Sequence, residues 1–376
     1  MRHTRNIAGK CQASAGLVLG CALALSVSAL PVAAKGYSQI YDLQSGAGIA
    51  GSTLPADAKP AYTTIDPPGS TGTTPYGIND KGEIAGNYLD GSGVSHGFLW
   101  DKGTITSFDP PGSINTQVGD SGCINDKGVI VGYYGDSTGT WHGYLRAADG
   151  TITTIDPLGS TGTYAYEIND KGMVGGGYFA GTDVEHGFLR DKDGTFATFD
   201  AVNGSIFTAA AGIDKEGDVG GEYYTGDGLR HGFVRTVGGT ITLFNVNGSL
   251  QTIVTDSHLT SKGALTGYYE DGSGDWHGYV REGNGNITTF DARGDTNGTY
   301  AEDINDAGAI TGWYDKSNDV PLGFVRANGK ITTFRDPDAG KLAGQGTEPY
   351  GINSAGWIEG NFEDSNGVIH GFLRTP

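Results

Sequence analysis

Cysteine is scarce in this 376-residue chain, which has only Cys11, Cys21 and Cys123. The first two lie in an N-terminal segment that is predicted to be removed, so Cys123 would remain alone and no internal disulfide could form. Stability must therefore come from packing. The sequence also contains no G-x-S-x-G, H-E-x-x-H or phosphate-loop motif and no zinc-type Cys/His cluster. No standard catalytic chemistry is supported.

Positive charge is also low, with 24 Lys and Arg against 43 Asp and Glu, a net charge of −19. Loss of the three basic residues of the predicted signal would leave 21 against 43, a net charge of −22. Such a surface argues against nucleic acid and anionic lipid as partners. A well-solvated secreted surface is the preferred interpretation, and cation binding is the alternative.

Long apolar runs are absent except near the N-terminus, where residues 15–30 form one. Arg2, Arg5 and Lys10 precede this run, and small residues at 32–34 follow it, so residues 1–34 are predicted to be a secretory signal peptide. The run is short for a membrane span, and no other segment is a candidate transmembrane segment. The predicted location is therefore extracellular or periplasmic.

Two details of the N-terminal region follow from composition. Lipidation of Cys21 remains an alternative to cleavage after Ala34, because the residues before Cys21 loosely resemble a lipobox. Residues 35–61 are rich in Ala, Gly, Ser and Pro and are interpreted as a linker or N-terminal arm.

The rest of the chain repeats itself seven times. Each copy has an apolar anchor, and successive anchors are 44 to 48 residues apart: Ile78, Ile124, Ile168, Ile213, Leu259, Ile304 and Ile352. A second column follows each anchor by 18 residues: His96, His142, His186, His231, His277, Leu322 and His370. A glycine follows each anchor by eight residues and an aromatic residue by ten. Repetition of this length determines the fold class.

Each copy predicts four short strands, here called A, B, C and D. In the first copy these are residues 76–79, 83–88, 96–100 and 104–109, with residues 110–120 as the loop to the next copy. Four antiparallel strands in about 45 residues are typical of a propeller blade. The seventh copy lacks strand D, and residues 62–66 supply a matching strand. The prediction is an all-β, seven-bladed β-propeller over residues 62–376, closed by the N-terminal strand.

The recurring pattern ITTFDPPGS, INDKGEIAGNY and HGFL resembles the bacterial extracellular HAF repeat, over residues 62–374. The His-x-Phe signature of that family is matched by His96-Gly97-Phe98 and three further copies. Tyr144 and Tyr279 replace Phe, Leu322 replaces His, and the middle residue is always Gly. The resemblance implies a secreted or surface protein, with no activity to carry over.

Three repeated features have simple structural explanations. The His column is interpreted as a structural residue whose ring bonds a neighbouring turn, rather than as a ring of metal ligands. The Asp column that ends strand D, beginning with Asp66 and Asp109, is interpreted as a turn initiator. The loops between strands B and C, such as residues 90–93, suggest weak Ca²⁺ or other divalent cation sites but lack the carboxylate spacing of a calcium loop. No cofactor is otherwise predicted.

More informative are the positions next to the anchors that do not repeat. Strand A lines the channel of a propeller, so Glu167, His258, Glu302 and Asp303 could converge there. A histidine with carboxylates can bind a metal or act as acid and base. A wet channel also tolerates almost any residue, so these side chains are only binding candidates.

Three functions remain open from the sequence. The preferred one is a non-enzymatic binding or scaffold propeller, whose long loops between strands B and C and between D and A form an interaction surface for a glycan or protein. The second is a metal-assisted hydrolase or lyase acting in the channel. The third is a purely structural extracellular component.

Overall fold

The computed structural model describes residues 59–255, 258–295 and 297–376. The predicted signal peptide and nearly all of the predicted linker lie outside these residues. Within them the chain contains strands and turns and no helix. The strands are, in chain order, β1 (Ala61–Ile65), β2 (Gly72–Ile78), β3 (Ile84–Leu89), β4 (Ser95–Asp101), β5 (Thr104–Phe108), β6 (Ser113–Val118), β7 (Ile130–Asp136), β8 (Trp141–Arg146), β9 (Ile152–Thr154), β10 (Gly162–Ile168), β11 (Val174–Phe179), β12 (Glu185–Arg190), β13 (Phe196–Phe199), β14 (Phe207–Ile213), β15 (Val219–Tyr224), β16 (Arg230–Arg235), β17 (Ile241–Phe244), β18 (Ser249–Val254), β19 (Leu265–Asp271), β20 (Trp276–Arg281), β21 (Ile287–Phe290), β22 (Thr299–Ile304), β23 (Ile310–Asp315), β24 (Pro321–Ala327), β25 (Lys330–Phe334), β26 (Thr347–Ile352), β27 (Ile358–Glu363) and β28 (Ile369–Thr375).

The described residues contain no helical segment that could span a membrane.

The strands form four-stranded antiparallel units, here numbered in chain order. Units 1 to 6 are β2–β5, β6–β9, β10–β13, β14–β17, β18–β21 and β22–β25, each with strands A to D in sequence. Unit 7 contains β26, β27 and β28, and β1 is its outer strand. A single parallel pair, Glu185 with Phe207, joins units 3 and 4 into one eight-stranded sheet.

The N-terminal strand pairs with the C-terminal strand over its whole length, from Ala61 opposite Thr375 to Ile65 opposite Gly371. Ile65 is fully buried, and it packs in one cluster with Ile78, Ile84 and Phe98 of unit 1. The predicted assignment of this strand to the last unit is therefore observed as strand pairing.

Strand A is longer than predicted. It spans Gly72–Ile78 in unit 1, and β6 lies within residues 110–120, which were predicted to be a loop. The prediction was wrong because Gly, Ser, Pro and Asn in these segments suggested a turn, whereas their backbone pairs with strand B.

One large aromatic residue per unit lies at the centre of the packing. These residues stand two positions after the His column and are fully buried: Phe98, Tyr144, Phe188, Phe233, Tyr279, Phe324 and Phe372. The glycine column of strand B makes room for them. A Cβ at Gly86 would collide with the Thr74 carbonyl of strand A and with the Phe98 ring. This close approach explains why glycine recurs eight residues after every anchor.

The Asn residue after the anchor links neighbouring units, a role beyond the tight turn expected from the sequence. Asn79 Nδ2 donates to the Asn125 carbonyl at 2.9 Å, and Asn125 Nδ2 donates to the Asn169 carbonyl at 3.0 Å. Asn353 of unit 7 donates in the same way to the Asn79 carbonyl of unit 1, at 3.0 Å. The positive φ of the first turn is taken by Gly82 and not by these polar residues. Because the Asn side chains are buried, these bonds favour one packing of neighbouring units.

Candidate functional site

Strand A is interrupted near its end in units 2 and 5. In unit 1, Pro75 pairs opposite the glycine of strand B and lies three positions before the anchor Ile78. In unit 2, Val118 is the residue opposite the strand-B glycine, and it lies six positions before the anchor Ile124. In unit 5, the corresponding separation, from Val254 to the anchor, is five positions. Relative to the other units, unit 2 thus has three extra residues within 119–123, and unit 5 has two extra residues between Val254 and Leu259.

The insertion in unit 2 reaches across to strands of other units. Ser121 Oγ donates to the Tyr350 carbonyl of unit 7 at 3.2 Å, although units 3 to 6 lie between these two units in the chain. The Asp120 amide donates to the Tyr166 carbonyl of unit 3 at 3.1 Å. The inserted segment thus lies at the meeting point of the A strands. Its sequence signal is the distance from the strand-D Asp to the next anchor, which is 12 residues from Asp66 and 15 from Asp109.

Glu167 and Asp303, two of the predicted channel residues, each bridge two units. Glu167 Oε2 accepts a hydrogen bond from the Ile213 amide at 2.7 Å, and Asp303 Oδ2 accepts one from the Ile352 amide at 2.8 Å. Both carboxyl groups are essentially inaccessible to solvent. Each therefore binds the anchor amide of the following unit, which is a structural role.

Two of the predicted channel residues, His258 and Asp303, are in direct contact with each other. His258 Nδ1 lies 3.1 Å from Asp303 Oδ1, and its backbone amide donates to the same oxygen. Burial lowers the pKa of His258, but the Asp303 and Glu167 carboxyls outweigh this effect and raise the pKa to about 9. The ring is consequently an imidazolium at neutral pH, which disfavours metal ligation and base catalysis.

Glu302 is bonded to a different partner. Its Oε1 accepts a hydrogen bond from Trp313 Nε1 at 3.1 Å. Burial raises the pKa of Glu302 to about 8, and the nearby Glu348 and Asp303 carboxyls add to this effect. The four predicted residues therefore do not share one set of direct contacts, although Asp303 acts electrostatically on the other three.

A further acidic residue was missed by the sequence analysis. Glu359 of β27 is fully buried. Among the described residues, neither of its carboxyl oxygens has a hydrogen-bond partner at standard geometry. Burial holds the pKa of its carboxyl well above the usual range, and the Asp303 carboxyl adds to the shift. Its signal in the sequence is that no other unit has a carboxylate seven residues after the anchor.

No group of three His, Cys, Asp or Glu residues among those described is arranged to hold a metal ion. The proposed calcium loops instead use their first Asp to hold their own backbone. Asp90 Oδ1 accepts hydrogen bonds from the Ser92 and Val94 amides, at 2.8 and 2.9 Å. Asp136 and Asp271 do the same in their loops.

The His column connects two acidic columns. His96 Nδ1 lies 2.8 Å from Asp109 Oδ2 of strand D, and its Nε2 lies 3.6 Å from Asp90 Oδ2 of the B-to-C loop. The ring also stacks on Tyr88, with centroids 5.2 Å apart. The Asp column that ends strand D is thus a histidine partner as well as a turn residue. The same arrangement recurs at His142, His277 and His370, so in these four units the histidine joins strand C to the B-to-C loop and to the end of strand D.

A cavity of about 160 Å³ lies among the anchors and the turns that follow them. Its lining includes Ile78, Ile168, Asn305 and His258. Since the A-to-B turns form its walls, it opens on the side of the short turns. The sequence analysis had favoured the opposite side as the binding surface.

The side formed by the B-to-C and D-to-A connections, here called the long-loop face, has the exposed aliphatic residues. Nine large apolar side chains are exposed among the described residues. Seven of them lie in these connections or in the first two residues of the strand that follows: Val94, Ile114, Leu158, Ile206, Leu250, Leu342 and Val368. The other two are Val237, in a C-to-D turn, and Leu243, in a D strand.

The sequence matches no protein-family model and no curated protein. Solved structures show the fold. A streptogramin B lyase is 15% identical with a TM-score of 0.55, covering 84% of this chain and 98% of its own. A catalytically inactive virginiamycin B lyase from Staphylococcus aureus is 14% identical with a TM-score of 0.55, covering 85% and 100%. The β-propeller domain of a trilobed protease from Pyrococcus furiosus, which has an open velcro topology, is 8% identical with a TM-score of 0.55, covering 81% and 95%. The fold is therefore of the β-propeller type.

Proposed function

We propose that this chain is an exported, closed seven-bladed β-propeller of the HAF-repeat type, which binds a partner through its long-loop face and has no catalytic role there. Each four-stranded unit is then one blade. Export is supported by the signal-like residues 1–34. The family is supported by the His-x-Phe-like pattern, which has His in six of the seven copies.

Closure of the ring is supported by contacts between the first and last units. β1 supplies the fourth strand of unit 7, and Asn353 donates across to Asn79 of unit 1. Ser354 adds a second link, since its amide donates to Asp80 Oδ1 at 2.8 Å. An edge strand left without these contacts would expose a row of unpaired backbone groups.

The binding role rests on one observation, the concentration of exposed aliphatic side chains on the long-loop face. An excess of exposed apolar groups on one face of a protein favours contact with a partner there. Five of the residues lie in a D-to-A connection or at the start of the strand A that follows it, namely Ile114, Leu158, Ile206, Leu250 and Leu342. None is required by packing, because each side chain faces solvent.

The acidic residues at the centre support a binding protein over an enzyme. The carboxyls of Glu167 and Asp303 accept hydrogen bonds from backbone amides of the next blade. The raised pKa of His258 keeps its ring protonated at neutral pH. A general base needs a free lone pair at the operating pH. These groups therefore stabilise the central packing in this proposal.

Substitution of the apolar loop residues should dissociate the partner. We expect Leu158→Asp/Leu250→Asp to shift the protein in a fresh culture extract from a complex to the mass of the free chain, measured by size-exclusion chromatography. The matched control is Ala148→Asp/Val237→Asp, which adds the same charge at exposed positions of two C-to-D turns, on the opposite side. Equal elution of wild type and both variants at the mass of the free chain would contradict the proposed binding role.

A further inference from the structure

Blades 2 and 5 share a Tyr in strand B and a Trp at the start of strand C, a combination that the other blades lack. Tyr133 and Trp141 of blade 2 lie against Tyr164 of blade 3, and Tyr268 and Trp276 of blade 5 lie against Tyr300 of blade 6. Here these are called the two aromatic triads. Each Trp begins strand C, directly after the B-to-C loop, so both triads lie at the long-loop end of their blades.

The two triads have nearly the same geometry. The first Tyr and the Trp have centroids 5.5 Å apart in both, with interplanar angles of 68° and 71°. The Trp and the Tyr of the next blade are 6.2 and 6.3 Å apart, both at 33°. The two Tyr rings are 5.0 and 5.2 Å apart. The chain thus presents one arrangement twice.

The fold does not need aromatic residues at these positions. The position of the two Trp residues is taken in the other blades by Ser95, Glu185, Arg230, Pro321 and Ile369. Between blades 1 and 2, the equivalent contact is a hydrogen bond from Asn87 Nδ2 to Gln117 Oε1, at 2.6 Å. A polar pair therefore closes the same junction, and packing alone does not explain the triads.

The indole rings are also available to a ligand. Trp141 and Trp276 are both partly exposed. Among the described residues, neither indole N–H donates a hydrogen bond, and neither is a buried polar atom without a partner. Each triad therefore combines an apolar ring surface with an unused hydrogen-bond donor at its edge. Aromatic rings with a polar edge suit a ligand that is apolar on one face and hydroxylated around its rim.

Carboxyls lie near both triads, but not at matching positions. Glu185 acts on Tyr164, whereas Asp315 and Asp295 act on Tyr300. The feature that the two sites share position for position is therefore the aromatic geometry, and the carboxyls disfavour an anionic ligand. A pyranose ring has the matching chemistry, with C–H groups on its faces and hydroxyls at its edge.

We propose that the two aromatic triads are equivalent saccharide-binding subsites, each stacking one pyranose ring on its Trp. This inference rests on the proposed binding role of the long-loop face and names its ligand class. Two equal subsites on one propeller suit a polymer or a repeated glycan, because the second contact is then intramolecular.

The test is native affinity electrophoresis of the full protein in gels containing laminarin, xylan, galactomannan or soluble peptidoglycan fragments. We expect at least one polysaccharide to retard the wild type, and Trp141→Ala and Trp276→Ala each to weaken binding by about tenfold, since one aromatic contact is worth roughly that factor. Trp141→Ala/Trp276→Ala should abolish retardation. Trp141→Phe should retain most of it if the variant is folded and the ring stacks.

Trp357→Phe is the matched control, because Trp357 packs against Gly82 at the first turn, away from the triads. No retardation of the wild type by any of the four polysaccharides would overturn the proposal, as would equal retardation of the double Trp→Ala variant. Retardation that disappears in 0.5 M NaCl would indicate charge attraction and would also overturn it. If the Leu158→Asp/Leu250→Asp variant loses its complex while the Trp variants bind normally, only the saccharide proposal fails.

Discussion

A chain that begins at Pro67 should lose at least roughly 5 kcal/mol of its free energy of unfolding relative to one that begins at Lys59, or fail to fold. The shortened chain lacks β1, and with it five residue pairs to β28 and the fully buried Ile65 side chain. It also lacks Asp66, whose Oδ2 lies 2.8 Å from His370 Nδ1. Urea unfolding followed by tryptophan fluorescence measures the difference.

A peptide spanning residues 59–68 provides the control for this experiment. Added to the shortened chain, it should restore the unfolding midpoint in a concentration-dependent way, because it supplies the missing strand. A peptide of the same composition in scrambled order should not. An unchanged midpoint in the shortened chain would mean that β1 does not close the propeller.

The second large effect is on pH dependence: the free energy of unfolding should fall as the pH rises from 5 to 8. Burial raises the pKa of Glu185 to about 8, and the pKa of Glu302 is also about 8. In the unfolded chain a glutamate titrates near 4.5. Between these values the folded protein holds protons that the unfolded chain has released, so stability decreases with rising pH. Each group alone contributes about 1.4 kcal/mol per pH unit.

The His column acts in the same direction. Burial lowers the pKa of His96, but the Asp109 and Asp90 carboxylates outweigh it and raise the pKa above the usual 6.5, and His277 follows the same pattern. A raised histidine pKa stabilises the fold fully below pH 6.5, and this contribution is lost as the pH rises through the folded-state pKa. The loop carboxylate of Asp271, with its lowered pKa, loses its contribution only as the pH falls below about 4. Maximum stability is therefore expected near pH 5.

Two variants and a control isolate the carboxyl contribution. Glu185→Gln and Glu302→Gln keep the shape of the side chain but cannot titrate, so each should flatten the decline between pH 5 and 8. Glu216→Gln is the control, since Glu216 is exposed and its pKa is lowered by Lys171. Thermal unfolding at each pH gives the slopes. A stability that rises or stays level from pH 5 to 8 in the wild type would contradict these assignments.

The sequence predicted the regular part of the fold well, because each repeated column has one physical cause. The glycine column reflects the contact of strand A with the buried aromatic, as at Gly86 and Phe98, and so it recurs in every copy. The His column was predicted to bond a neighbouring turn, and His96 does so through Asp109. Pairing of the N-terminal strand with the last unit followed from counting strands.

The centre was harder to predict, since its residues do not repeat. Counting back one residue from each anchor placed Glu167, His258 and Asp303 in one ring, but His258 lies on an insertion that changes the path of the strand. The buried Glu359 was missed because it lies in strand B rather than strand A. Its burial next to Asp303 depends on the packing of several units, which no single repeat encodes.

The most direct test of the binding role is site-specific photo-cross-linking in the producing cell. Benzoylphenylalanine placed at Leu158 or Leu342 should give a discrete or ladder-like adduct of higher mass after irradiation, because both positions are exposed on the long-loop face. The same probe at Val237, exposed in a C-to-D turn, should give none. Adducts from Val237 alone, or no adduct from any of the three positions, would contradict the account.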